Sequence, residues 1–473
     1  MSLRSIWIAG IAGVAVACAA AEEDAPPEPD AEEDEERLSL PDCASDVSRA
    51  MAEAMVPVVD NGTVPLGRLS SAGRVDPRVY ITGPEIFGKA AELIEGAEVE
   101  VDIQVYKWEP GTDPTETILG GLAALEARRR ETGTAAPPVE VRIVIDTSVL
   151  GVAAPVTEEH MPLVEAQIAA YGLDPAHVRI RLAAHERGLF DQFGNLHVKT
   201  FIVDGRVALI TGANPEAQHN FEAPWHDIGT VVAGDVVLAM LDDFDHSYSR
   251  SFVWDCAAPD DCLQAPAPLE HRFAPGSTTA VASACHVLAL SRQESNFPNN
   301  DVDNPQDQAF LAAFGAARRV LKIETPNIND DAAKNAIVAA VERGVEVRLI
   351  TSKEFNEAAE GPVGGPNGDN VDGLYRRLAS AGMNDACERL RIRWYSRDGI
   401  EPVLGNGPYA SHVKYASVDD EVVIVGTTNM DTPSWNFSHE LDLAIDDADT
   451  TRGFDAQLFD ADWERAIDVD QCR

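Results

Sequence analysis

Along the first half of the chain, short apolar runs alternate with longer stretches whose apolar residues recur every three or four positions. Residues 99–108, 139–147, 178–182 and 228–232 read as strands, the second of them buried on both faces. Residues 116–130, 157–171 and 236–251 read as helices. The order returns from residue 306. Helices are predicted at 306–318, 331–343 and 371–381, and strands at 320–325, 345–351 and 390–395. A strand at 441–445 and a helix at 451–466 close the chain. Strands alternating with helices predict an α/β sandwich in each half.

Near the end of each half stands a hairpin of similar polar content. His412 and Lys414 sit two apart in a run that alternates like a strand, so both side chains are expected on one face. Asp419 and Asp420 make a polar turn, residues 422–425 return, and Gly426, Thr427 and Asn429 form a polar corner. The first half carries His197, Lys199, an Asp204-Gly205 turn, and Thr211-Gly212-Ala213-Asn214. The two histidines lie 215 residues apart, which marks an internal duplication. An imidazole, an ammonium and an amide on one surface suit an oxyanion such as phosphate.

This doubled pattern resembles the phospholipase D superfamily, whose signature is His-x-Lys, four residues, Asp, six residues, Gly-Ser-x-Asn. The second copy keeps the spacing throughout, with Thr427 in place of Ser. The first keeps His, Lys, Asp and Asn in register but has Thr211-Gly212 where Gly-Ser is usual. The resemblance spans residues 75–470. It implies two duplicated α/β sandwich lobes packed with one active site at their interface. Residues 74–255 form the first lobe, the Pro- and Ala-rich stretch 256–275 a linker, and residues 276–473 the second lobe. A Gly- and Pro-rich stretch, 361–370, reads as a flexible surface loop.

Neither hairpin alone carries a base, an acid and enough positive charge. Together they place two histidines and two lysines around one phosphoryl group, with Asn214 and Asn429 donating hydrogen bonds. One imidazole must be neutral to attack phosphorus, and the other must give its proton to the leaving oxygen. The lysines stabilise the added negative charge. By similarity to the superfamily, His197 attacks and His412 is the acid; the residues alone leave the exchanged order open. Each histidine needs a carboxylate on its other ring nitrogen. Asp204 and Asp419 lie at the far ends of the hairpins and read as structural turn residues. Asp227 and Glu440, which follow the motifs, are the better candidates, each able to act in its own lobe or to cross to the other. His219, His226 and His439 read as ordinary hydrogen-bonding histidines. Trp225, Trp435, Phe193 and Tyr409 read as core or as walls of a headgroup pocket. The superfamily reaction uses no metal and no cofactor, so full activity in chelator is expected.

The net charge of −42 repels polyphosphate backbones and disfavours nucleic acid as a partner. Residues 1–21 read as an export signal, and Ala15-Val16-Ala17-Cys18 resembles a lipoprotein processing site with Cys18 as the acylated residue. Residues 22–73 comprise an acidic tether, disordered over 22–37, and a lead-in to the first lobe. Apart from Cys18, six cysteines remain, and disulfides are expected in an exported chain, with Cys256 and Cys262 closing a local loop. The expected location is the cell envelope, by lipid anchor, or the exterior as a secreted monomer. The leading function is a phospholipase D-type phosphodiesterase acting on phospholipid through a phosphohistidine. The alternatives are a phosphatidyltransferase of the cardiolipin- or phosphatidylserine-synthase type, a nuclease with the same chemistry, and a non-catalytic phosphate-binding surface lipoprotein. The synthases often carry membrane helices, which the sequence lacks beyond its N-terminus.

Overall fold

The computed structural model describes residues 38–472 except 134–135, 152–153, 190–193, 257–261, 274–284, 296–301, 357–363 and 384. The expected export signal, Cys18 and the stretch 22–37 expected to be a disordered tether lie outside the described residues, as does Phe193.

Among the described residues two mixed sheets are formed, one of ten strands and one of nine. Their centres repeat one another. In the first, Glu100–Val105, Val139–Ser148 and Val178–Arg187 run parallel. In the second, Val320–Thr325, Glu346–Thr351 and Leu390–Trp394 do the same. Parallel neighbours need crossovers, and the helices Asp113–Thr132, Thr157–Ala170, Asp331–Glu342 and Asn367–Ser380 supply them. On its other side each leading strand pairs antiparallel with a motif hairpin: Glu100–Val105 with Thr200–Val203, and Val320–Thr325 with Tyr415–Val418. The duplicated α/β lobes predicted from the sequence are therefore present.

The lead-in crosses between lobes. Helix Asp46–Met55 packs on Pro305–Ala316, and Ser70–Ser71 pairs with the buried strand His286–Arg292 of the second sheet, whereas Arg74–Val75 joins the first sheet. Cys43 is bonded to Cys285, which fastens the lead-in to that second lobe. Cys256 and Cys262 form the expected local disulfide, and Cys387 is also disulfide-bonded. One continuous apolar cluster runs from Val198, Ile202 and Val232 of the first lobe to Leu290, Ile323, Val425 and Leu443 of the second. A second cluster fills the outer face of the first sheet, around Phe87, Ile103, Leu122 and Ile143.

Three expectations change. The helix predicted at 451–466 is two helices, Ala448–Gln457 and Phe459–Arg465, because Leu458 leaves helical geometry with ψ −79°. The loop expected at 361–370 is described only from 364, and its end is already the first turn of Asn367–Ser380. His197–Lys199 and His412–Lys414 do not lie inside hairpin strands. They immediately precede Thr200–Val203 and Tyr415–Val418. Their backbones are diverted into the seam between lobes, and this places them for chemistry. No described helix is long and apolar enough to cross a membrane.

Candidate active site

The motif aspartates fix the hairpins at the ends remote from the histidines. Asp204 and Asp419 adopt positive φ, 53° and 55°, at their turns. The Asp204 carboxylate accepts the backbone amides of Glu98, Val99 and Glu100 at 2.7–2.9 Å. Asp419 accepts those of Arg318, Arg319 and Val320 over the same range of distances. Each carboxylate thus satisfies the orphan donors at the start of the leading strand of its lobe.

At the opposite end the two lobes are stitched together twice. The His197 amide donates to the His439 carbonyl at 2.9 Å, and the His439 amide to the Asn195 carbonyl at 2.7 Å. The His226 amide donates to the Ala410 carbonyl at 2.9 Å, and the His412 amide to the His226 carbonyl at 2.7 Å. Each motif histidine is bonded to the residue just before the other lobe's candidate carboxylate. The side chains complete the crossing. His197 Nδ1 lies 2.8 Å from Glu440 Oε1, and His412 Nδ1 lies 2.8 Å from Asp227 Oδ2. Both carboxylates are fully buried, and both imidazoles are nearly so.

The surroundings of the two dyads differ. His412 is stacked on Phe355 at 5.6 Å and flanked by Trp225 at 5.4 Å. Burial, then the neighbouring Lys414, lowers its pKa to about 3. Burial would raise Asp227, but Lys414 and His412 outweigh it and hold this carboxyl well below the usual range. His197 faces Tyr106 edge-on at 5.2 Å. Burial, Lys199 and Lys414 hold it far below an ordinary histidine, while burial pushes Glu440 up to about 7. Thr427, in the place of the signature Ser, donates its hydroxyl to Glu440 Oε2 at 2.6 Å.

Lys199 and Lys414 are buried, and the charge of Lys414 adds to burial in lowering Lys199. Burial lowers Lys199 to about 7 and Lys414 to about 8. Lys199 Nζ donates to the His197 carbonyl at 2.6 Å, and Lys414 Nζ to the His412 carbonyl at 2.5 Å. Gly212 passes so close that a Cβ there would lie 2.2 Å from Asp227 Oδ1 and 2.8 Å from Lys414 Cδ. The first copy's departure from Gly-Ser therefore leaves room for the second copy's lysine.

Asn214 and Asn429 share one pattern. Asn214 donates to Glu216 Oε1 at 3.0 Å, and Asn429 donates to Asp431 Oδ2 at 2.8 Å. Sequence reasoning passed over Glu216 and Asp431, although they too are 215 residues apart. Lys107, 3.5 Å from Glu216, and Tyr106 were also missed; they follow the first strand and carry no motif. Trp225 borders His412, whereas Trp435 is fully buried and donates to the Asn429 carbonyl at 3.1 Å. Tyr409 is covered by the Arg397 guanidinium at 3.5 Å. His219 Nε2 lies 3.4 Å from Asp227 Oδ2, and His226 Nε2 2.5 Å from Asp462 Oδ2. Donors of His219, Asp227 and His412 converge closely enough for a metal. Lys414 Nζ, 2.7 Å from His412 Nδ1, already supplies positive charge there and opposes a dication.

The arrangement is a buried set of two histidines and two lysines with a pseudo-twofold exchange of carboxylates. Two nucleophile-capable imidazoles and two ammonium groups are suited to a phosphodiester anion. Residues 310–463 match the family described as cardiolipin synthase, PLD-like domain. Over 418 residues the chain is 25% identical to cardiolipin synthase A of Pseudomonas putida, covering 85% of this chain and 71% of that one. It is 22% identical over 211 residues to phospholipase D of Streptomyces antibioticus, covering 41% of this chain and 37% of the relative. Its fold resembles that of phosphatidylserine synthase of Haemophilus influenzae Rd KW20, with TM-score 0.60, 16% identity, and coverage of 90% of this chain and 92% of that chain. The two-lobed fold and its paired motifs thus go with similarity to phospholipase D superfamily proteins, by the family match over residues 310–463 and by the relatives across both lobes.

Proposed function

We propose that the protein is a phosphatidyltransferase of the cardiolipin-synthase type, rather than the simple phosphodiesterase that leads from sequence alone. Similarity to cardiolipin synthase A across both lobes carries this reading. The burial of the two histidines, 9% and 7% exposed, supports it, because a phosphoenzyme in a closed cleft is shielded from bulk water.

In the proposed cycle the neutral His197 Nε2 attacks the phosphorus of a phospholipid, with Nδ1 held by Glu440. The P–O bond to the headgroup alcohol breaks, and His412 gives that oxygen its proton. The incoming phosphodiester anion, together with ionised Asp227, raises the otherwise low pKa of His412 and charges it for this step. Lys199 and Lys414 balance the negative charge of the pentacoordinate species. A hydroxyl of a second lipid then gives its proton to His412 and attacks the phosphohistidine, which releases His197. Hydrolysis differs only in the acceptor.

The test is to incubate purified protein with phosphatidylglycerol vesicles and separate the lipid products. Cardiolipin and free glycerol in excess over phosphatidic acid are expected. Phosphatidic acid as the sole product, even with added alcohol, contradicts the transferase reading.

A further inference from the structure

The seam holds a second cluster of metal-ligand residues that the phosphoryl chemistry does not use. We propose that His246, Glu294 and His439 bind a divalent transition metal, zinc(II) by chemical class, which staples the two lobes one residue away from Glu440. His246 lies on the first-lobe helix Val236–Ser249, and Glu294 and His439 belong to the second lobe.

Three observations converge. First, the donor atoms face one another at ligand spacing. Glu294 Oε2 is 3.8 Å from His246 Nε2 and 3.7 Å from His439 Nδ1. All three lie within 4.8 Å of one another. These separations are too long for hydrogen bonds, and close to the ~3.4 Å between donors on a tetrahedral zinc with bonds near 2.1 Å. Second, among the described residues His246 Nε2 and Glu294 Oε2 are buried without a hydrogen-bond partner, and the Ser247 hydroxyl lies 3.4 Å from His439 Nδ1. Arg250 engages the other oxygen of Glu294. Third, His439 is pre-oriented. It is fully buried, and its Nε2 donates to Asp243 Oδ1 at 2.7 Å, which turns Nδ1 toward Glu294. Gln104 donates to Asp243 Oδ2 at 2.8 Å and completes a carboxylate–histidine–metal relay.

The duplication supplies a control. His226 occupies the place of His439 in the first copy, and Asp462 the place of Asp243. Three residues beyond Asp243 comes His246; three beyond Asp462 comes Arg465, whose guanidinium lies 2.5 Å from Asp462 Oδ1. The other copy gathers His226, Glu324 and Asp462 at similar spacing, with Arg465 standing where His246 does. A cavity of about 500 Å³, lined by His185, Arg187, Arg250, Glu294 and Ser295, opens onto Glu294.

The site stands apart from the reacting atoms, so the metal is structural and the phosphoryl chemistry itself remains metal-independent. The test uses the full chain, stripped with a strong chelator, dialysed and titrated with zinc chloride. One equivalent should bind and raise the melting temperature. His246→Ala and the isosteric Glu294→Gln should each weaken binding at least tenfold and abolish the thermal shift, with unchanged circular dichroism. Cobalt(II) should give visible absorption in the parent and lose it in both variants. A parent chain that takes up no zinc, or variants that bind it as tightly as the parent, overturns the proposal.

Discussion

His197 Nδ1 and Glu440 Oε1 lie 2.8 Å apart although 243 residues separate them in sequence, and the mirror pair His412 and Asp227 repeats the distance from the opposite side of the seam. Neither lobe therefore owns a complete dyad. The backbone stitches Leu196 to His439 and His226 to Ser411 enforce this exchange. Removing the charge while keeping the shape, as in Glu440→Gln or Asp227→Asn, should lower kcat on the order of 10³-fold, since the imidazole loses its tautomer and its counter-charge. Steady-state kinetics on lipid vesicles check this; a loss below tenfold would mean that the carboxylates serve only the fold.

Asp204 should behave in the opposite way. Its carboxylate caps three backbone amides at the hairpin end remote from the imidazoles. Asp204→Ala should cost about 3 kcal/mol of stability by leaving those donors unmet. Denaturant unfolding would report the loss, with kcat of the folded fraction nearly intact.

The lysines set the alkaline limb. Burial lowers Lys199 to about 7 and Lys414 to about 8, so each is charged below its value and loses its proton as pH rises through it. The proposed reaction needs both charged, hence kcat/KM should fall between about pH 7 and 9. On the acid side His197 stays neutral well below the ordinary histidine value, so protonation of the nucleophile should not limit the rate near pH 6. A profile flat to pH 9.5 would contradict the role given to the ammonium groups.

Gly212 is predicted to be intolerant of even a methyl group. The added Cβ of Gly212→Ala would press on both Asp227 and Lys414. The expected result is a kcat loss of at least tenfold with a smaller effect on melting temperature, measured side by side.

Much of this was legible in the chain because the duplication displays it twice. Two His-x-Lys-x4-Asp runs in register identify the hairpins, and the alternation of strands and helices gives the lobes. The signal weakens where geometry depends on contacts between copies. That Asp227 serves His412 and Glu440 serves His197 follows from the seam bonds, which no local pattern records. Period-two alternation suggested that the motif histidines sit in strands, but tertiary pairing across the seam draws them out just ahead of the strands. Glu216 and Asp431 repeat at the same 215-residue offset and were readable in principle. Tyr106, Phe355 and the His246–Glu294 pair reach their places from elements whose local sequence carries no motif.

The most direct test of the central claim is to trap the covalent intermediate. The His412→Ala variant, mixed with short-chain phosphatidyl-p-nitrophenol, whose leaving group needs no proton, and digested, should show a phosphatidyl adduct on His197 by mass spectrometry, and the His197→Ala variant should show none. An adduct on residue 412 in the His197→Ala variant, with none on residue 197 in the other, would reverse the assigned roles; no adduct in either would contradict covalent catalysis at the seam.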